Sequence, residues 1–398
     1  MDALKNAAAS VAALLVGAGL LVALSPAADA GEAVQVTCGQ VITTDTKLAN
    51  DLVGCPRHGL VIGADDVTLD LNGHTIAGDG TPIEDCPEDE PCDVGIVNSA
   101  LRDGTPFNGP GFDGVTIANG VVRDFTEVGI YVVGASNVVV SRMQTSRSHI
   151  ESDGVHMIDC MHCRIEDSSA SDYSVGFVVI GSHHLTIVRS VVSDNQFGGI
   201  VVVGSDHVEV SGNTVTGTPE GEGIVLIESE RNLVRHKVVS GSFSGVGLVQ
   251  SHHNRVLHNT FHHNRFVGTS VYGGDSNLIA KNTMKANGDG SEGGIHLLAT
   301  EEGDGADNNE LVANRLSAND GDGILVDAGQ VGTVIERNVV RRNSDDGIDV
   351  ASSSTTLFGN VLIRNGDLGI DAVPGVIDGG HNKGIHNGNP VECLNVVC

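Results

Sequence analysis

The sequence contains no tryptophan, and aromatic residues make up only 3% of its 398 positions. Basic residues are also scarce: 22 Lys and Arg stand against 51 Asp and Glu, a formal net charge of −29 at pH 7. A charge of this sign repels nucleic acids and anionic membranes. We therefore exclude nucleic acid as a partner, and we expect an acidic polysaccharide to bind only where local cations or a bound metal ion reverse the field.

Long apolar runs are absent after the first 30 residues. There, Lys5 precedes an apolar run over residues 11–24, and residues 28–30 read Ala-Asp-Ala. This combination is typical of a secretory signal peptide. We predict that residues 1–30 are removed near Ala30 and that the protein is secreted, extracellular or periplasmic. We expect no membrane insertion, because no second apolar segment follows.

A helical periodicity is absent as well, since no later stretch keeps apolar residues at a 3.6-residue spacing. Instead, a glycine followed by a short apolar run recurs about every 24 residues. The glycines of this repeat are Gly129, Gly154, Gly176, Gly199, Gly223, Gly245, Gly268, Gly294, Gly323, Gly347 and Gly369. A unit this short cannot bury its own apolar face, so successive units must stack.

The repeat itself is built from short runs rich in Val and Ile, such as Gly-Ile-Val-Val-Val at residues 199–203. Gly, Asn, Asp and Ser separate these runs, a pattern of short strands and tight turns. Each repeat holds three strands, and the leucine lattice of leucine-rich repeats is missing. We predict an all-β fold, a right-handed single-stranded parallel β-helix. Asparagines at the repeat spacing, such as Asn232 and Asn254, are expected to form structural ladders.

We predict one elongated domain, because the repeat continues without a linker. An N-terminal cap is expected over 31–58, the β-helix over 59–380, and a C-terminal cap over 381–398. Insertions are expected at 81–111, which holds five of the ten prolines, and at 301–310, which is acidic.

Eight cysteines form four pairs that are close in sequence. An even number in an exported chain favours disulfides. Cys160 and Cys163 could form a strained disulfide or remain buried thiols. The predicted disulfides are Cys38–Cys55, Cys86–Cys92 and Cys393–Cys398.

Three segments carry a family resemblance: Gly-Leu-Val-Ile at 59–62, Leu-Asp-Leu-Asn-Gly-His-Thr-Ile at 69–76, and the ending from Asn387 to Cys398. With the repeat, they make residues 59–398 resemble the right-handed β-helix proteins of the pectate-lyase-like superfamily. Such repeats occur in carbohydrate-binding and sugar-hydrolase domains and in a periplasmic copper-binding maturation factor. The resemblance implies an extracellular polysaccharide or cell-surface glycan as partner, a monomeric protein and no organic cofactor.

The segment Ser-Asp-Gly-Val-His at 152–156 is similar to the Asn-Thr-Asp-Gly-Ile-His strand of polygalacturonases. Those enzymes carry an Asp pair one coil later and a Gly-His-Gly after that. This chain has Ser-Val-Gly at 174–176 and Phe-Gly-Gly at 197–199 instead. Inverting hydrolysis needs two carboxyl groups around the scissile bond, so we exclude polygalacturonase-type activity.

A second similarity is to mannuronan epimerases, which combine an Asp-Pro-His core with a tyrosine and a basic residue. Asp153, His156, Tyr131 and Arg147 supply these residue types, although the spacing differs and the proline is absent. His156 and Tyr131 could act as base and acid, Asp153 could orient the histidine, and Arg147 could meet a sugar carboxylate. The alternative is the ordinary polar outer face of a solenoid.

Aspartates cluster in three successive repeats near the C-terminal end. They are Asp320, Asp322, Asp327, Asp345, Asp346, Asp349, Asp367 and Asp371. Stacked carboxylates repel one another unless a cation or protons intervene, and Ca²⁺ prefers six to eight oxygen ligands. We predict Ca²⁺ binding by Asp322, Asp346, Asp349 and Asp371, with solvated turns as the alternative.

A histidine-rich run follows the sixth repeat, and we interpret it as surface rather than as a metal site, because its residues should point in different directions. Its members are His252, His253, His258, His262 and His263.

The sequence thus supports two functions: a secreted β-helix protein that binds and modifies a polysaccharide as a lyase or epimerase, or a non-catalytic structural or adhesion solenoid. A groove at Tyr131, Asp153 and His156, walled by segment 81–111, would favour the first. A flat face would favour the second.

Overall fold

A computed structural model describes residues 31–87, 90–146, 152–290, 292–300 and 303–398. The predicted signal peptide at 1–30 and the predicted site residue Arg147 lie outside the described residues. Every regular element in the described part is a β-strand. None of the described residues forms a helix long and apolar enough to cross a membrane.

Each coil contributes one strand to each of three parallel arrays. The first array is a sheet of 14 strands. Its strands are β1 (Gln40–Ile42), β4 (Leu60–Ile62), β7 (Val94–Asn98), β11 (Val128–Val133), β13 (Asp153–Ile158), β16 (Val175–Ile180), β19 (Gly198–Val203), β22 (Glu222–Ile227), β25 (Ser244–Val249), β28 (Val267–Tyr272), β31 (Ile295–Leu298), β34 (Ile324–Val326), β37 (Ile348–Val350) and β40 (Ile370–Ala372). We call it the first sheet.

The second array follows it in every coil. Its strands are β2 (Thr46–Lys47), β5 (Thr68–Asp70), the first half of β10 (Thr116–Arg123) and of β12 (Val139–Ser146), β14 (Arg164–Glu166), β17 (Thr186–Val188), β20 (Glu209–Ser211), β23 (Leu233–Arg235), β26 (Arg255–Leu257), β29 (Leu278–Ala280), β32 (Glu310–Val312), β35 (Val334–Glu336), β38 (Thr356–Phe358) and β41 (Ile377–Gly380).

The third array completes the coil. Its strands are β3 (Leu52–Cys55), β6 (Thr75–Gly78), the second halves of β10 and β12, β15 (Ser169–Ser171), β18 (Val191–Ser193), β21 (Thr214–Thr216), β24 (Val238–Ser240), β27 (Thr260–His262), β30 (Thr283–Lys285), β33 (Arg315–Ser317), β36 (Val339–Arg341), β39 (Val361–Ile363) and β42 (Lys383–Ile385).

The repeat of the sequence is the repeat of the coil. Ile200 pairs with Ile224 in the neighbouring strand, and Ile324 pairs with Ile348 further along the same sheet. All four side chains are fully buried in one interior file. Because strand side chains alternate between faces, the residues beside them point outward. The predicted parallel β-helix is confirmed.

Buried asparagines run along the turns as hydrogen-bonded ladders. The Asn259 backbone N–H donates to Asn282 Oδ1 at 2.9 Å, and the Asn282 backbone N–H donates to Asn314 Oδ1 at 3.0 Å. The Asn282 side-chain amide also donates to the Val256 carbonyl at 2.8 Å. Each asparagine therefore satisfies backbone groups that the turns leave unpaired.

The β-helix extends beyond the bounds predicted from the sequence, residues 59–380. Strands β1, β2 and β3 pair with β4, β5 and β6, so the first coil lies inside the segment 31–58 that the sequence predicts as a cap. At the other end β42 pairs with β39 inside the predicted cap 381–398. These strands are only two to four residues long and lack most of the repeat phrase, so the pattern does not mark them.

The predicted insertion 81–111 is also not one loop. It is interrupted by β7, which carries Gly95-Ile96 of the repeat phrase and pairs with β11 in the first sheet. After β7 the chain forms an antiparallel hairpin of β8 (Ala100–Arg102) and β9 (Thr105–Phe107).

Four disulfides are present. Three are those predicted from sequence, and the fourth joins Cys160 to Cys163, whose Cα atoms are 6.0 Å apart. Such bonds persist in oxidising compartments, consistent with a location outside the cytoplasm.

Candidate functional site

Two predicted site residues lie side by side on the outer face of the first sheet. In β11 and β13, Tyr131 is in register with His156, just as Ile130 is with Val155. Ile130 and Val155 fill the core. The alternation of strand side chains therefore turns the tyrosine and the histidine outward, one coil apart.

Asp153 and His156 form a hydrogen-bonded pair. The His156 Nε2 lies 2.8 Å from Asp153 Oδ2, and the other carboxylate oxygen accepts the backbone N–H of Val175 at 2.9 Å. The carboxylate is thus held by the next coil and accepts the ring proton on Nε2. This leaves the lone pair of a neutral ring on Nδ1. Only 17% of the His156 side chain is exposed.

Tyr131 is a proton donor held at a fixed place. Its side chain is buried, its hydroxyl donates to Asn108 Oδ1 at 2.9 Å, and its ring centroid lies 6.1 Å from that of His156. Burial raises the pKa of Tyr131, and the nearby carboxylates of Glu127 and Asp159 raise it further. The hydroxyl therefore stays protonated at neutral pH.

A cleft of about 290 Å³ opens at these side chains. Segment 81–111 supplies one wall through Glu90, Pro91 and Asn108. The remaining lining residues are Val94, Glu127, Val128, Tyr131, His156 and Ile158. A cleft walled by segment 81–111 is therefore present at Tyr131 and His156, whereas Asp153, the third residue of the predicted groove, does not line it. Among the described lining residues there is no lysine or arginine, and Glu90 and Glu127 make the cleft negative.

A second cavity, of about 250 Å³, lies on the same face of the sheet. Its lining includes Arg57, His58 and Val61. Val61 and Tyr131 occupy the same register position on strands of the first sheet that are two strands, or about 10 Å, apart. Burial, with Arg57 beside it, lowers the pKa of His58 to about 4, so this ring is neutral. No repeat or motif in the sequence marks Asn108, Glu127 or this cavity, and the adjacent Arg57 and His58 before β4 are the only local signal.

The C-terminal aspartates form two groups rather than one. Asp322, Asp345 and Asp346 each bring a carboxylate oxygen within 4.8 Å of the others. Asp345 is a member that the predicted ligand set lacks. Asp349 and Asp371 are in register with each other on the outer face of the first sheet and form a separate pair.

Backbone donors hold the two buried members in place. Asp322 Oδ1 accepts the Asp346 N–H at 2.9 Å, and Asp346 Oδ1 accepts the Leu368 N–H at 2.6 Å. Burial nevertheless raises the pKa of Asp322 and of Asp346 to about 7, and neighbouring aspartates add to the shift. Burial and Asp371 raise the pKa of Asp349 to about 6. These carboxyls hold protons near neutral pH unless a cation replaces them.

The histidine-rich run does not converge on one point. His252 lies 3.6 Å from Asp275, while His258 stacks on His236 from the preceding coil. His262 and His263 contact each other through their Nδ1 atoms at 2.9 Å. In the part of the chain that the structure describes, none of these histidines belongs to a group of three potential metal ligands.

Two family models match the chain. A model described as right handed beta helix region matches residues 198–368 and 302–387. A model described as periplasmic copper-binding protein (NosD) matches residues 96–265. No curated protein matches the sequence.

Several solved structures are similar in outline. The Azotobacter vinelandii mannuronan C-5 epimerase AlgE6 A-module has a TM-score of 0.47 at 16% identity, covering 91% of this chain and 89% of that one. A periplasmic alginate epimerase, AlgG, has a TM-score of 0.40 at 14% identity, covering 89% and 78%. DFA-IIIase from Arthrobacter chlorophenolicus A6, without its lid and in complex with GF2, has a TM-score of 0.46 at 16% identity, covering 81% and 84%.

These scores are too low to carry an argument about fold or activity. The parallel strand pairing and the two family models, which together match residues 96–387, carry the assignment. The chain is a right-handed parallel β-helix protein.

Proposed function

We propose that the protein binds a polysaccharide outside the cytoplasm in the cleft at Tyr131 and His156 and acts on it as a lyase or epimerase. The observation that carries this proposal is the carboxylate-oriented His156 facing the same cleft as the protonated Tyr131. A general base and a general acid on one cleft are what proton transfer at a sugar carbon requires.

The geometry assigns a role to each group. Asp153 fixes the ring, so Nδ1 of His156 accepts the proton from the sugar carbon next to a carboxyl group, and the C–H electron pair becomes the enolate. In an epimerase, Tyr131 returns a proton to the other face of that carbon. In a lyase, the enolate expels the glycosidic oxygen, which takes the Tyr131 proton.

The charge of the cleft limits the substrate. Glu90 and Glu127 repel a uronate, and a base next to a carboxylate works only where a cation neutralises that carboxylate. Arg147 remains the predicted partner for this charge. A neutral sugar would bind without such help, but it lacks the carboxyl group that acidifies the carbon.

We further propose that Asp322, Asp345 and Asp346 bind Ca²⁺, with the Asp349–Asp371 pair beside them. Three converging carboxylates, of which Asp322 and Asp346 have raised pKa values, suit a hard cation. The group lies seven strands from Asp153 in the first sheet, about 34 Å. Because the Debye length at 0.15 M salt is about 8 Å, this ion would stabilise the C-terminal coils and would not neutralise a substrate in the cleft.

The test is a screen of polyuronates and neutral glycans in D₂O with the full chain. Both reactions bring deuterium or a new double bond to the carbon that loses its proton, and NMR detects both. We expect turnover on a polyuronate and a loss of about 10²-fold or more in His156→Ala. The matched control is His207→Ala, because His207 makes a similar 2.8 Å contact with Asp206 on the surface. Full activity in His156→Ala would contradict the assignment.

A non-catalytic adhesion solenoid is the second candidate. The observation that favours it is the aliphatic outer face beyond the cleft, where Val178, Val201 and Val225 succeed His156 in register. Glycan binding without deuterium uptake on any polymer would support this function over the first.

A further inference from the structure

The third array of strands presents a row of cations in the last five coils. Its outward residues come from β30, β33, β36, β39 and β42, and we call this surface the basic wall. They are Thr283, Lys285, Arg315, Ser317, Val339, Arg341, Val361, Ile363, Lys383 and Ile385. None of them is acidic, although the chain has more than twice as many acidic as basic residues.

The corner after these strands adds to the positive charge. Arg342 follows β36 directly and Arg364 follows β39, both with positive φ. The strands of the second array that precede β33 and β36 each carry one glutamate, Glu310 and Glu336, and Glu336 is paired with Arg337. Aspartates return in the turns beyond the corner, so the positive surface is bounded on both sides.

These cations differ from Arg189 and Arg235 of earlier coils in lacking an ion-pair partner among the described residues. Arg189 lies 2.7 Å from Asp167, and Arg235 lies 2.8 Å from Glu209. By contrast, no described carboxylate lies within ion-pair distance of Lys285, Arg315 or Arg341. These cations make the electrostatic potential locally positive on a protein whose net charge is negative. Salt screening limits the reach of this potential to about 10 Å at 0.1 M salt.

A small pocket of about 130 Å³ lies within the wall. Arg315 and Arg341 line it together with the hydroxyl residues Thr283 and Ser317 and with Val339. Two guanidinium groups with two hydroxyls match the oxygens of a carboxylate, which arginine binds through paired N–H donors. The aliphatic side chain of Val339 in this pocket suits the apolar face of a sugar ring.

The wall favours a sparsely charged polymer over a nucleic acid. It has no aromatic side chain on which bases could stack, and the net charge of −29 repels the dense phosphates of a duplex. Lys285 and Arg341 stand in one column, two coils or about 10 Å apart. Charges at this spacing are far sparser than the phosphates of a duplex, which follow one another about every 1.7 Å along the helix axis.

We propose that the basic wall is a binding site for an acidic polysaccharide, one carboxylate of which lies between Arg315 and Arg341. The site is on a different array from the Tyr131 cleft and does not depend on turnover there. It would hold the polymer on a protein whose overall charge opposes the association.

The test measures binding of a fluorescently labelled oligouronate to the full chain by anisotropy at low and at physiological salt. The variant is Arg315→Gln/Arg341→Gln. The matched control is Arg189→Gln/Arg235→Gln, which removes the same charge from ion-paired arginines. We expect the wall variant to bind about tenfold more weakly or worse, and the control to bind within about twofold of the parent.

Equal weakening in both double variants would mean that only net charge acts, and it would overturn the proposal. So would unchanged binding in the wall variant, a parent that binds no oligouronate, or a single-stranded DNA oligomer that binds more tightly than the oligouronate. Thermal unfolding of each variant shows whether a loss of binding reflects a loss of folding. If turnover in the cleft fails while this binding persists, the inference stands without the proposed function.

Discussion

Asp153 holds His156 through one carboxylate oxygen while a backbone N–H of the next coil holds the other. The histidine is thus oriented by the stacking of coils and not only by its own strand. A catalytic ring with both its tautomer and its direction set in this way can exchange protons without rearranging.

Replacing Asp153 by Asn should separate orientation from charge. The amide can present its NH₂ group to Nε2, which would favour the wrong tautomer and leave no lone pair on Nδ1. We expect kcat on a responsive glycan to fall by about 10²-fold or more, with KM nearly unchanged, because Asp153 is not among the residues that line the cleft. Steady-state kinetics test this, and a KM rise with unchanged kcat would assign Asp153 to binding instead.

The aspartate group should make stability depend on pH. Folding raises the pKa values of Asp322 and Asp346 to about 7 from 3.8. Their contribution to the unfolding free energy is therefore fully present below about pH 4 and is lost as the pH rises through 7. Calorimetry between pH 5 and pH 8 should show a lower melting temperature at pH 8, and Asp322→Asn should flatten that slope.

Calcium should act on the same group in the opposite direction. Because the ion binds deprotonated carboxylates, millimolar Ca²⁺ should raise the melting temperature at pH 8 more than at pH 5. Asp345→Asn should reduce the effect, while Asp103→Asn, on the hairpin turn between β8 and β9, should not. An equal rise in both variants would place the ion elsewhere.

The asparagine ladder predicts a large cost for one amide. The Asn282 side chain accepts the Asn259 backbone N–H and donates to the Val256 carbonyl, so Asn282→Ala leaves two buried backbone groups of the preceding coil unpaired. We expect the unfolding free energy to fall by about 2–3 kcal/mol. Thr214→Ala, at an exposed position of β21, is the control and should change it by less than about 0.5 kcal/mol. Chemical denaturation measures both.

Lys237 interrupts that ladder. It occupies the position between Asn213 and Asn259, it is fully buried, and its Nζ has no hydrogen-bond partner. Burial lowers its pKa to about 6. Lys237→Asn should therefore raise the melting temperature by completing the ladder.

The rise in melting temperature caused by Lys237→Asn should depend on pH in a defined direction. Because folding depresses this pKa from 10.5, the parent loses stability as the pH falls from about 10 toward 6. The advantage of Lys237→Asn should be larger at pH 6 than at pH 10. A pH-independent difference would mean that the amine finds a partner or water in solution.

Much of the site could be anticipated from local patterns. Tyr131 and His156 both stand two places after a repeat glycine, which is enough to put them in one outward column. Asn108 could not be placed in this way, because it lies in a segment that departs from the coil and returns. Asp345 belongs to the predicted aspartate cluster but not to the predicted ligand set, because it sits in a turn, where alternation does not tell which way a side chain points.

The sequence by itself determined the coil, its three arrays of strands and the interior files of side chains. Strand alternation and repeat length can be read within a single repeat, and stacking places the same positions above one another in every coil. Only the tertiary structure decided that Asn108 would meet Tyr131, that three aspartates would converge and that cations would gather on one wall. Those contacts depend on where insertions fold back and on how each turn directs its side chains, and no periodicity carries that information.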